Sequence, residues 1–133
     1  MIVLDTHVLL WLERGDDELG PRSRKKIDRA LAQDELAVSA MTFGEIAMLE
    51  RKNRIRLARS AETLRIELIG NGLREIPLTG EIAIASTRLE NLHDDPADRI
   101  IIASATGTGA TLLTADDRIL KWKGRLERYD ARL

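Results

Sequence analysis

Hydrophobic and polar positions along this chain follow two periods that take turns. Short continuous apolar runs, Ile2–Leu4 at the start and Leu36–Val38 further on, have the form of strands buried on both faces. Between them, apolar positions recur every three to four residues, the spacing of one helix face. On that spacing Thr6–Glu13 and Pro21–Gln33 are helices, the second with mostly charged exposed positions, and Met41–Asn53 is a third that stacks Phe43, Ile46 and Ala47 on one side. A helix opening after Ser60 stops at Asn71-Gly72, because glycine readily takes the left-handed backbone that ends helices. Leu73–Pro77 reads as a strand closed by its proline. Thr79 caps a helix running to about Glu90, and Leu92–Asp94 forms a turn. At Asp95-Pro96 an N-cap acceptor precedes a residue whose backbone is preset for the first helical turn, so a helix runs from there to about Thr108. Gly109 breaks into the strand Thr111–Thr114, followed by a short helix from Asp117 and a last strand near Leu126–Tyr129.

Strands separated by helices predict the α/β class: one domain over residues 1–133, built as a three-layer α/β/α sandwich on a central, mainly parallel sheet. A length of 133 residues suits one core, and no repeat, low-complexity tract or flexible linker divides it. Composition narrows the function classes. With 44% apolar and 32% charged residues the chain buries enough carbon to fold, which excludes a disordered tail. Aromatics are only 3%, so the core is Leu, Ile, Val and Ala, and a platform of stacked bases is disfavoured. Twenty-one Lys plus Arg against twenty-two Asp plus Glu give a net charge of −1, so any affinity for nucleic acid must come from local patches. The absence of cysteine removes disulfides, thiolate metal sites and a cysteine nucleophile, which suits the cytoplasm. The apolar run Val8–Leu12 is too short to span a bilayer, and no membrane association is expected.

The chemistry lies in where the acids fall. Ligands of open parallel sheets bind beyond the carboxyl ends of the strands. Asp5 directly follows the first strand, and Asp116 comes two residues after Thr111–Thr114. Glu45 lies early in the helix after the second strand, and Asp98 in the first turn of the helix opened by Asp95-Pro96. Four carboxylates thus converge on one rim, where each like-charged pair at ~4 Å repels by ~1 kcal/mol even in water. A divalent cation resolves the conflict, and carboxylate-only ligation selects hard ions such as Mg²⁺ or Mn²⁺ over zinc. Such a site supports metal-assisted hydrolysis of a phosphodiester with no nucleophilic side chain.

Each acid also has a purely structural reading. Thr42-x-x-Glu45 fits a capping box, Asp95 and Asp98 repeat the N-cap and third-position geometry, and one of Asp116 and Asp117 caps the short helix. An acid placed like Asp5, immediately after a buried strand, is harder to account for structurally. His7 and His93 read as polar surface or turn residues rather than acid–base groups. The basic stretch Arg51, Lys52, Arg54, Arg56 and Arg59 reads as a solvated face or, beside a hydrolytic rim, as a contact for an RNA backbone.

The opening Met-Ile-Val-Leu-Asp-Thr-His-Val-Leu-Leu-Trp, the Ser39–Leu49 segment around Glu45, His-Asp-Asp-Pro-Ala-Asp-Arg at 93–99 and Leu-Leu-Thr-Ala-Asp-Asp at 112–117 together resemble PIN-domain ribonucleases, more narrowly VapC-type toxins of toxin–antitoxin pairs. The resemblance spans nearly the whole chain. It implies endonucleolytic cleavage of RNA, Mg²⁺ or Mn²⁺ held by Asp5, Glu45, Asp98 and Asp116, and hydroxyls at Thr6 and Thr114 that orient those ligands or water from behind. It further implies a homodimer and a cognate antitoxin protein as partner. Asp95 and Asp117 are neighbouring acids that can replace or supplement Asp98 and Asp116. The chain departs from similar toxins at Gly44 and Ala97, where a bulky aromatic is frequent, so an RNA preference does not carry over.

A different class, a non-catalytic α/β signalling or RNA- or protein-binding module with an acidic pocket, places acids at the same edge. Against a phospho-receiver, the first strand ends in one acid rather than a pair, and no Lys follows a late strand ahead of a Pro. Against an aspartyl phosphatase, Asp5-Thr6-His7 lacks the second acid two residues on.

Overall fold

The computed structural model describes all 133 residues, in the order β1 (Ile2–Leu4), α1 (Thr6–Arg14), α2 (Pro21–Ala32), β2 (Leu36–Ser39), α3 (Ala40–Arg51), α4 (Ala61–Gly70), β3 (Arg74–Ile76), α5 (Gly80–Ser86), α6 (Pro96–Gly107), β4 (Thr111–Thr114), α7 (Asp117–Leu120) and β5 (Glu127–Asp130). The five strands form one sheet in the order β3-β2-β1-β4-β5, and every neighbouring pair is parallel. β1 lies at its centre, paired as Ile2 with Leu36 on one side and Thr111 on the other.

Alternation along each central strand divides the core in two. Leu4, Leu36, Val38 and Leu113 face one side, with Val8, Leu9, Ile27, Ile46 and Leu64 of α1 to α4 packed on them. Val3, Ala37 and Leu112 face the other, under Ile101, Ile102 and Ala105 of α6 and Ile119 of α7. Helices therefore cover both faces, the three-layer sandwich expected for strands that are apolar throughout. No helix is long and apolar enough to cross a membrane.

Most elements end within a residue or two of their sequence reading, α3 at Arg51 rather than Asn53 and β3 spanning Arg74–Ile76 rather than Leu73–Pro77, and α5 differs most. α5 ends at Ser86 rather than near Glu90. The cause is Arg99 of α6, whose guanidinium donates to the carbonyls of Ser86 (2.9 Å), Leu89 (2.6 Å), Leu92 (3.0 Å) and His93 (3.2 Å), so the chain after α5 coils around a cation instead of continuing as helix. β5 is shifted one residue later than read, to Glu127–Asp130, in register with Thr111–Thr114.

Candidate metal centre

Three central strands, β1, β2 and β4, point their carboxyl ends at one rim, and the side chains leaving that rim are polar. Asp5 is 3% exposed. Its Oδ1 accepts the Thr6 amide at 2.9 Å, capping α1, and its Oδ2 accepts the Thr114 hydroxyl at 2.6 Å. The same Thr114 oxygen accepts the Asp116 amide at 3.1 Å, so one hydroxyl ties the first acid to the last. Thr6 donates its hydroxyl to Glu45 Oε1 at 2.5 Å and lies 3.1 Å from Thr42 Oγ1. Both threonines stand beside the acids, where hydrogen bonds hold carboxylates in one orientation.

The structural readings of the acids separate cleanly here. Thr42-x-x-Glu45 is not a capping box: Ser39 is the N-cap of α3, accepting the Met41 amide at 3.1 Å, and Thr42 is a buried helix residue. Glu45 is thereby left free to reach across to α1. Asp95 is the N-cap of α6, accepting the amides of Ala97 (2.9 Å) and Asp98 (3.3 Å). Asp98 turns its carboxylate the other way, to His93 Nε2 at 2.6 Å. Asp116 caps α7 through the Arg118 amide at 2.9 Å and still faces the cluster, whereas Asp117 is 58% exposed and bound by Arg132 at 2.9 Å.

The electrostatics follow from burial and crowding. Glu45 is pushed up to about 7, chiefly by burial, with the charges of Asp98, Asp5 and Asp95 adding to it and the Thr6 hydrogen bond opposing. Asp98 is raised for the same reasons, burial first, then its hydrogen bond from His93 pulling the other way against the charges of Asp5 and Asp95. Asp116 is lowered, because Arg118 grips both its oxygens at 3.2 and 2.8 Å. Burial and neighbouring carboxylates, which raise both Glu45 and Asp98, form the environment that a hard divalent cation relieves, and oxygen donors are the ligands it prefers. The donor set fits a Mg²⁺- or Mn²⁺-type ion.

Two groups at the centre were not singled out as functional from the sequence. One ligand atom each from His93, Asp98 and Asp116 lies within 4.8 Å of the others. His93 is 15% exposed at its side chain, with Nε2 on Asp98 and Nδ1 buried without a partner. Its position depends on the Arg99-clamped loop, a contact no local pattern encodes. Arg118 lies 3.8 Å from Asp98 as well as on Asp116. Its spacing two residues after Asp116, in the first turn of a capped helix, was the available signal. His7 accepts the Ala115 amide at 3.1 Å and lies edge-on to Trp11.

The basic stretch is not at the rim. Arg51 closes α3, about 9 Å of helical rise beyond Glu45, and Lys52, Arg54 and Arg56 follow it, all four exposed and free of ion pairs. Arg59 is tied to Glu13 at 3.1 Å and to Glu67, a structural link between α1 and α4.

A family model described as the PIN domain matches residues 2–124. The chain is 32% identical over 119 residues to Ribonuclease VapC22 of Mycobacterium tuberculosis, covering 89% of this chain and 88% of the relative. Among solved structures it is similar to a DNA-bound VapBC from Salmonella typhimurium, with a TM-score of 0.69 at 16% identity over 97% of this chain and 96% of that one. It is likewise similar to a toxin-antitoxin complex from Klebsiella pneumoniae, with a TM-score of 0.63 at 22% identity over 92% of each chain. At these identities the solved structures establish a shared fold.

Proposed function

The chain belongs to the PIN-domain family, and from that premise we propose that it is a Mg²⁺- or Mn²⁺-dependent endoribonuclease, the toxin of a toxin–antitoxin pair, with a cognate antitoxin protein as its partner. What supports the reading is the polar chain along the rim: Thr6 bonds both Asp5 and Glu45, Thr114 bonds both Asp5 and Asp116, and Arg118 lies on Asp116 and 3.8 Å from Asp98, with Glu45 and Asp98 raised by burial and by neighbouring carboxylates. The ribonuclease named among its relatives supports the same chemistry.

Asp5, Glu45, Asp98 and Asp116 are the carboxylates that would hold the ion. What it supplies when bound is Lewis acidity toward water and toward the phosphodiester. The chain supplies orientation: Asp5 is fixed between Thr6 and Thr114, Glu45 by Thr6, and Asp98 by His93, so each carboxylate keeps one face toward the centre. Arg118, 62% exposed at the rim, offers a guanidinium to an arriving phosphate, in the planar two-pronged geometry that suits phosphate oxygens. His93 and the loop that Arg99 clamps back the Asp98 carboxylate from one side.

Purified protein incubated with RNA is expected to cleave it internally in Mg²⁺ or Mn²⁺ and to stop on addition of EDTA. Cleavage that persists undiminished in EDTA, or no cleavage in either ion, contradicts the reading.

A further inference from the structure

Beside the acids lies an open pocket of about 560 Å³, lined by His7, Trp11, Ala115, Asp116, Arg118 and Arg132 among others. It adjoins the rim through shared residues. Asp116 is one of the four acids, Arg118 is the guanidinium that grips it, and His7 Nδ1 stands 3.6 Å from Asp5 Oδ2. A ligand seated in the pocket therefore meets residues that also form the centre.

The pocket holds the one Phe, Trp or Tyr ring in the chain that is free to meet a ligand. The sequence has two Trp, one Tyr and one Phe. Phe43 and Trp122 are buried, and Trp122 donates its N–H to the Glu90 carbonyl. Tyr129 packs on the core under the Lys26 ammonium, 4.6 Å from its ring centre. Trp11 is only half-buried against the core, and no group in the chain accepts its indole N–H, which is left to solvent. The ring is also held in place. It meets His7, one turn earlier on α1, at 5.1 Å between ring centres and 71° between planes, an edge-to-face pair. His7 is anchored in turn by its Nε2, which accepts the Ala115 amide at 3.1 Å. The aromatic pair is thereby fastened to the segment leaving β4 that carries Asp116, and little motion is lost when a ligand lands on it.

Charge alone does not define the pocket. Arg118 lies on Asp116, Arg132 lies on Asp117 and Asp130, and Glu18 adds a further acid to the lining, so both guanidiniums are already answered. What the pocket adds to the acids is an aromatic surface, and the parts of an RNA strand that pair with such a surface are its bases. We propose that the pocket seats one nucleobase of the substrate strand on Trp11, the base next to the phosphate that is cleaved; the inference rests on the ribonuclease reading above. One ring seats one base, and a longer run of stacked bases needs more aromatics than this chain has. The contact also demands an unpaired base, because inside a duplex both faces of a base are covered by its neighbours. The pocket therefore selects single-stranded RNA.

The test measures binding in EDTA of a fluorescent ten-nucleotide single-stranded RNA and of an abasic ribose-phosphate chain of the same length and charge. Trp11→Leu keeps apolar bulk on the core and removes the ring, whereas Trp11→Phe keeps a ring. Trp11→Leu should bind the RNA on the order of 10- to 100-fold more weakly than the unsubstituted protein, the loss of one stacked base, and Trp11→Phe should recover most of it. The salt slope from 50 to 300 mM should be the same in all three, since no phosphate contact is removed, and the abasic chain should bind all three alike. Undiminished RNA binding by Trp11→Leu, an equal loss with the abasic chain, or no RNA binding by the unsubstituted protein overturns the proposal. A second measurement uses the unsubstituted protein itself. The Trp11 indole N–H resonance, identified by its disappearance in Trp11→Phe, should shift as RNA is added while that of Trp122 stays, and a Trp11 resonance unmoved at saturating RNA likewise overturns the proposal. Binding that depends on Trp11 without cleavage in Mg²⁺ or Mn²⁺ removes the nuclease reading and leaves the pocket standing; cleavage by the unsubstituted protein together with full RNA binding by Trp11→Leu has the opposite meaning.

Discussion

The carboxylates at the edges of this sheet and those at its centre live under opposite conditions. On the edge strand β3, Glu75 takes two hydrogen bonds from Arg65, at 2.7 and 2.8 Å, and on the other edge strand β5, Asp130 takes two from the Arg132 guanidinium and one from its amide, all at 2.9 Å. Both are held below the usual carboxylate range by those arginines. Behind the central strands, Asp5, Glu45 and Asp98 share a half-buried rim, and Glu45 is driven up to about 7. The chain is not short of cations, with 21 Lys and Arg, several of them unpaired. Only Arg118 reaches the central rim, and it is mostly exposed. Arginines thus neutralise the edge acids and Asp116, while Glu45 and Asp98 are left raised, the pattern expected of a site that trades stability for chemistry.

The hardest way to break the contrast is to remove a central acid. Asp5→Asn should lower metal-dependent RNA cleavage by more than the 10- to 100-fold typical of losing an outer partner, measured as initial rate in Mn²⁺. Cleavage at the unsubstituted rate would remove Asp5 from the centre. Outer partners come next. Thr114→Val and His93→Ala should each weaken Mn²⁺ binding by about 10- to 100-fold in calorimetry, because Asp5 and Asp98 lose the groups that orient them.

Protonation sharpens the contrast further. Glu45 must shed a proton to bind the ion, so below pH 7 Mn²⁺ affinity should fall by about tenfold per pH unit for that one proton, and Asp98 acts in the same direction. The stability sign is the reverse of an ordinary ion pair. Between the ordinary glutamate value of 4.5 and about 7 the folded chain holds a proton that the unfolded chain has lost, so in EDTA stability should decline as pH rises through that window. Glu45→Gln should reduce this decline in thermal unfolding, leaving the part due to Asp98, and raise the midpoint above the unsubstituted protein at pH 8. The smallest effect belongs to the edge. Glu75→Gln breaks an exposed pair and should leave the unfolding midpoint and the cleavage rate nearly unchanged.

Local signals in the sequence reached as far as local physics does. β1, β2 and β4 are short runs with no polar interruption, and the acids at their ends are readable because a strand's exit is fixed by its apolar register. The Asp95-Pro96 start of α6 is a cap that any helix would use. What escaped the sequence depends on groups far apart along the chain. Ser39, three residues before Thr42, takes the cap and frees Glu45, so a local capping pattern misassigned a residue whose partner is on α1. His93 reaches Asp98 because Arg99 bends the preceding loop, and the same bend shortens α5.

The most direct measurement is a crystal soaked in Mn²⁺ and read at the manganese absorption edge. An anomalous peak enclosed by the carboxylates of Asp5, Glu45, Asp98 and Asp116, with Arg118 turned off Asp116 toward solvent, is the expected result. A manganese peak elsewhere on the protein, with those four carboxylates empty at saturating ion, would contradict the assignment of a catalytic metal to the centre of the sheet.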